Sequence, residues 1–215
     1  MAALEQIPIY IEVGKSRVFA CAFDWPGWCR PGRNEALALE GLRQWAPRYA
    51  QAAAAAGLPF PAADSLAFDV FEHVAGNSTT DFGAPAVACS RDALPWTAAD
   101  SERACALLEA AWQSLALLTA QPRELAKGPR GGGRTLEGVA EHVRNAEAAY
   151  ARKLGATTRA KDGSTADVRV EILKLLRQPD TAGAESGRWL PRYAARRIAW
   201  HVIDHIWEIE DRSMS

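Results

Sequence analysis

Ahead of two long helical runs this chain sets a hydroxyl residue three positions before an acid, in Thr97-Ala98-Ala99-Asp100 and in Ser164-Thr165-Ala166-Asp167. That pattern lets two side chains satisfy the orphan N–H donors of a helix's first turn reciprocally, so each copy marks a helix start. Behind the first, Cys105, Leu108, Trp112 and Leu115 recur at helical spacing until Pro122. Behind the second come Val168, Ile172, Leu175 and Leu176. Between them lies a helix over about 135–154, with Leu136, Val139, Val143, Ala146 and Tyr150 on one side. A fourth begins near Pro191, a residue tolerated in a first turn, and runs to about Arg212. Four amphipathic helices joined by short links predict a four-helix bundle over residues 97–215.

Residues 1–75 obey a different period. The stretches 7–13 and 17–23 are β-rich, with Gly14-Lys15-Ser16 between them as a hairpin turn. Asp24-Trp25-Pro26-Gly27-Trp28-Cys29-Arg30-Pro31-Gly32 is a run of turn formers. Asn34 then caps a helix from Glu35 to about Ala56, which Pro47 kinks or splits because it lacks a donor and clashes with the preceding turn. Residues 65–73 return as a strand. The order β-β-α-β predicts a small α+β domain with one sheet face under one helix. Residues 76–96, rich in Gly, Pro and Thr, read as a connecting segment, so the whole chain is α+β with two domains.

Composition narrows the function. With a net charge of −1 there is no basic surface to attract nucleic acid. No apolar run reaches the roughly 18 residues of a membrane span, and the N-terminal residues lack the features of a secretory signal. A cytoplasmic location follows. Cys21, Cys29, Cys89 and Cys105 show no CxxC spacing and read as reduced thiols, mostly in cores, with Cys29 the most exposed. Arginine far outnumbers lysine and alanine is abundant, a bias suited to a GC-rich bacterial genome.

The chemistry-bearing pattern is histidine. His201 and His205 stand four apart in Trp200-His201-Val202-Ile203-Asp204-His205-Ile206-Trp207-Glu208, on one helix face that Ala194 and Ile198 share. His142 borders the apolar stripe of the second helix, beside Val143. Three imidazoles from two helices suit a divalent cation and leave a coordination position open for water or substrate. Zn, Ni and Fe are not distinguished by such a set. Taken singly, each histidine is better explained as a hydrogen-bonded core or boundary residue than as a ligand. Asp204 and Glu208 neighbour the ligand candidates and are placed to orient an imidazole. Arg196 and Arg197 are candidates to bind a substrate carboxylate. His73 reads as structural, and Arg130-Gly131-Gly132-Gly133-Arg134, without the Gly-Lys-Ser/Thr ending of a phosphate loop, reads as a link.

The segment from Ala199 to Arg212, preceded by a helix bearing His142, resembles the DinB-like superfamily of four-helix-bundle metalloproteins. The resemblance spans about residues 97–212. It implies that His142, His201 and His205 hold a divalent metal. It further implies a low-molecular-weight thiol such as mycothiol as cosubstrate, since characterised members include thiol-dependent S-transferases and a maleylpyruvate isomerase. The first domain, with its turn before a helix, is similar to HicB-like antitoxin domains, without the DNA-binding segment that many of those carry.

The resulting expectation is a metal-dependent transferase or isomerase that activates a thiol or water for a small-molecule substrate. It works without a membrane or nucleic acid, and a homodimer is open. The alternatives are a non-catalytic binding or stress-associated protein whose metal, if any, is structural, and an antitoxin-like regulator.

Overall fold

The computed structural model describes residues 4–127, 133–157, 164–178 and 187–213. The first glycines of the 130–134 run, Gly131 and Gly132, lie outside them. The chain divides into two compact units, Met1–Pro95 and Trp96–Ser215.

The first unit is built on a mixed four-stranded sheet, ordered β3-β2-β1-β4. Strands β1 (Glu5–Val13) and β2 (Val18–Ala22) form the expected hairpin, in which the Gly14 N–H donates to the Arg17 carbonyl at 2.8 Å. A third strand, β3 (Cys29–Gly32), pairs antiparallel with β2 where the sequence suggested only turn. Residues 24–28 suffice to reverse the chain, because Gly27 takes φ of 94° and the Trp28 N–H closes back on the Trp25 carbonyl. Proline in β3 is tolerated since β3 is an edge strand and Pro31 offers no N–H to leave unpaired.

Asn34 caps α1 (Glu35–Gln44) by accepting from the Leu37 N–H. The helix ends at Trp45, and α2 (Ala46–Ala55) starts anew with Pro47 in its first turn. The expected helix is thus split where proline removes a donor. The chain then crosses to β4 (Leu66–Ala75), which runs parallel to β1, with a bulge at Phe71.

Side chains alternate across a strand, so the two sheet faces can be told apart. One carries Ile9, Ile11, Ala20, Ala22 and Trp28 and lies under the helices: Trp28 Nε1 donates to the Leu42 carbonyl, and Trp28 stacks on Tyr49 at 5.6 Å. The other carries Tyr10, Glu12, Phe19, Cys21 and Cys29, and it too is buried. Its cover is the segment read as a connection between domains. There, α3 (Ser78–Phe82) follows the Asn77 capping box, and the Ala86 and Val87 N–H groups donate to the Glu12 carboxylate at 3.0 Å. Thr80 donates its hydroxyl to the same carboxylate. These contacts hold a fully buried charged group in place, the condition under which such burial is tolerated. The expectation of a single covered face therefore fails, and so does that of an exposed Cys29, which is 5 % exposed. His73 is exposed on β4 and bonds Glu35 at 2.9 Å.

The second unit contains α4 (Ala98–Ala120), α5 (Leu136–Leu154), α6 (Thr165–Arg177) and α7 (Pro191–Arg212), which pack on one another. Both capping boxes form, with Thr97 and Ser164 as N-caps and Asp100 and Asp167 returning the bond. Gly155 closes α5 in the left-handed conformation, φ 114°. The core holds Leu107, Leu108, Val139, Val143, Ile172, Leu176, Ile198 and Ile203. Helix α7 is the most enclosed, with Ala194, Ile198, His201, Val202 and Ile209 all buried. No described helix is long and apolar enough to cross a membrane.

Ion pairs tie the helices together, and those of Glu147 and Asp100 are the less exposed. Glu147 on α5, 1 % exposed, accepts from Trp112 of α4 at 2.8 Å and from Arg169 of α6 at 2.9 Å. Arg192 of α7 grips both carboxylate oxygens of Asp100 at the start of α4, at 3.0 and 2.9 Å. That guanidinium holds the Asp100 carboxyl down at about 2.

Candidate metal centre

Because α7 is helical through 201–205, His201 and His205 project from one face a turn apart. Helix α5 packs against that face and delivers His142. The three ring centroids stand 5.0 Å (His142 to His201), 5.0 Å (His142 to His205) and 4.6 Å (His201 to His205) apart, a nearly equilateral triangle. One ligand nitrogen from each ring lies within 4.8 Å of the other two. The Nε2 atoms of His142 and His201 face each other at 3.2 Å. Two nitrogens at about 2.0–2.1 Å from a tetrahedral cation would be separated by roughly 3.3 Å, so this pair already has the spacing a shared ion requires.

His201 and His142 are favoured in the neutral form, the one that binds a metal. Burial, followed by the charges of His205 and Arg197, presses the His201 pKa down to about 2. Burial and Arg134 also lower His142. The positive charges that repel a proton also oppose a cation, so an anion is needed nearby. Glu208 supplies it. One turn beyond His205, its carboxylate accepts from His205 Nδ1 at 2.7 Å, and that bond, ahead of the one from Arg212, keeps Glu208 ionised below the usual range. With Nδ1 turned to Glu208, Nε2 is the nitrogen that His205 has left for the centre.

Glu208 is itself held. Arg212 donates to its other oxygen, while Arg212 Nε bonds the Ala126 carbonyl and Arg212 NH2 the Arg134 carbonyl, each at 2.9 Å. Gly133 adopts φ of 139°, and a Cβ there would collide with the Arg212 guanidinium. Backbone from the 126 and 134 regions thus fixes Arg212, which fixes Glu208, which fixes His205.

On the other side of His201 stands Tyr150, edge-on at 5.6 Å, with Trp189 beyond it at 5.2 Å from Tyr150. The Arg197 guanidinium lies over the rings of Tyr150 and Trp200, at 5.2 and 4.8 Å, and its buried NH1 has no hydrogen-bond partner among the described residues. Arg196 is buried on the neighbouring face of α7, 5 % exposed. Asp204 is half-buried, one residue before His205.

All three sequence-nominated histidines meet, and of the two nominated carboxylates Glu208 reaches an imidazole. Arg212, Arg134 and Tyr150 were not foreseen. The Glu208–Arg212 spacing of four was a visible signal for the first, whereas nothing local in the sequence marks the other two. Comparison with protein-family models, with curated proteins and with solved structures finds no match for this chain.

Proposed function

We propose that His142, His201 and His205 hold one divalent cation, Zn, Ni or Fe, in a metal-dependent enzyme of the DinB-like type. The 3.2 Å approach of the His142 and His201 Nε2 atoms carries this reading. Two neutral imidazoles aim ring nitrogens at one point, and only a proton or a cation between them satisfies both. The charged partner Glu208, itself clamped by Arg212, supplies the outer support that ligating histidines usually have. Three protein ligands leave a position where the cation lowers the pKa of a low-molecular-weight thiol such as mycothiol, or of water, to supply a nucleophile at neutral pH.

This chain's residues then divide the remaining work. Arg197, with a buried N–H unspent, receives an anionic group of the small-molecule substrate; a planar guanidinium suits a carboxylate in a desolvated setting. Tyr150 and Trp189 exclude water on that side. S-transfer or isomerisation of an acidic substrate is the reaction class that fits.

Elemental analysis of the purified, untagged protein tests the proposal. Stoichiometric metal that disappears in His201→Ala is the expected result. Metal-free protein after supplementation with Zn, Ni and Fe, or metal content unchanged in the variant, refutes it.

A further inference from the structure

Far along the chain from the histidines, the first unit brings two thiols together. Cys21 of β2 and Cys29 of β3 are directly opposed in the antiparallel register, and their Sγ atoms lie 2.7 Å apart. The ladder explains why they meet. The Ala22 N–H donates to the Trp28 carbonyl, which makes Ala22 and Trp28 a hydrogen-bonded pair. Pairs alternate along the strands, so Cys21 and Cys29 form a non-hydrogen-bonded pair, as do Phe19 and Pro31 two residues on. In such pairs the Cα atoms are about 4.5 Å apart and the side chains lean together. That span falls within the roughly 4.4–6.8 Å that disulfides bridge. The strand register therefore suits a bond between the two sulfurs.

We infer that Cys21 and Cys29 are a dithiol that closes to a disulfide in the folded protein on meeting a low-molecular-weight disulfide. Both thiols are buried, 5 % exposed for Cys29 and 2 % for Cys21, and burial raises the Cys29 pKa, so the first attack is slow. One of the two sulfurs, as thiolate, attacks one sulfur of R′–S–S–R′ and expels R′–S⁻, which takes up that thiol's proton. The other sulfur then attacks it in the mixed disulfide and expels the second R′–S⁻, which takes up the second proton. The protein loses two hydrogens and two R′–SH are formed, so the cosubstrate is reduced as the pair is oxidised. The closed bond ties the edge strand to β2 across a short loop containing Trp25 and Trp28, whose rings pack against Tyr49. Nothing in this step uses the histidine centre.

The test treats the folded full-length protein with oxidised glutathione, removes it, then unfolds the protein and alkylates free thiols. The expected product is two hydrogens lighter than the reduced control and carries two alkyl groups instead of four, with digestion yielding a Cys21–Cys29 cross-linked peptide. Cys21→Ser and Cys29→Ser should each show no cross-linked peptide, with the remaining partner cysteine either alkylated or held as a mixed disulfide with glutathione. Wild-type peptide mapping alone decides the matter if a variant fails to fold. Four alkylated thiols in the treated wild type, a cross-link through Cys89 or Cys105, or a Cys21–Cys29 bond formed only when denaturant is present during oxidation would overturn the inference.

Discussion

The Glu208 carboxylate accepts a 2.7 Å hydrogen bond at His205 Nδ1 and so leaves Nε2 as the nitrogen of that ring for His142 and His201. Orientation, more than identity, makes three imidazoles a ligand set. Removing the outer partner of a ligating histidine typically costs 10–100-fold in metal affinity. Glu208→Ala and Arg212→Ala should weaken metal affinity by about that much, measured by competition with a chromogenic chelator. Affinity unaltered in both variants would show that His205 needs no external guide.

Chelation should leave the helical circular dichroism of the protein largely unchanged. The packing of α4 to α7 rests on apolar residues such as Leu107, Ile172 and Ile198 and on the Glu147 and Asp100 ion pairs, none of which requires an ion. A catalytic metal leaves the fold standing, whereas a structural one takes stability away with it. Collapse of the dichroism on chelation would favour the structural role.

Acid should destabilise the metal-free protein from neutral pH downward. His201 has a folded pKa of about 2 against an ordinary 6.5, so between these values the unfolded chain binds the proton and the folded one does not. Stability therefore rises with pH across that window, and is lost as pH falls below 6.5, by up to about 1.4 kcal/mol per unit from this group. Asp100, held at about 2 by Arg192, adds a second loss that begins only below its ordinary 3.8. Urea midpoints at several pH values, compared with His201→Gln, should show a shallower slope near pH 6 in the variant. Identical slopes would mean that His201 is protonated when folded.

Glu147→Ala should cost roughly 1–3 kcal/mol, since it leaves the buried Trp112 N–H and the half-buried Arg169 guanidinium without their acceptor. Denaturant unfolding measures this directly. Replacement by Gln keeps an acceptor for Trp112 and should cost less. Losses under about 1 kcal/mol for Glu147→Ala would show that Arg169 finds water instead.

Helix starts, helix faces and the pairing of His201 with His205 are local properties. A capping box involves residues three apart, and an i, i+4 pair one turn, so Thr97, Ser164 and the two histidines could be placed from the chain alone. The split at Pro47 was legible for the same reason. The third strand was not, because Cys29-Arg30-Pro31-Gly32 has no strand propensity of its own and becomes one only by pairing with β2. Nor was the cover that residues 76–93 give the second sheet face, since nothing near Glu12 in the sequence marks the distant Ala86 and Val87 N–H groups that close over it.

The amino-acid order therefore determined strands β1, β2 and β4, every long helix, and which residue types line their faces, down to the histidines nominated as ligands. Tertiary structure alone decided that His142 comes within 3.2 Å of His201, that backbone around 126 and 134 anchors Arg212, and that Cys29 is buried against Cys21. Local patterns report torsions and periodicity over a turn or two, whereas these contacts join residues whose approach depends on how whole helices and strands pack.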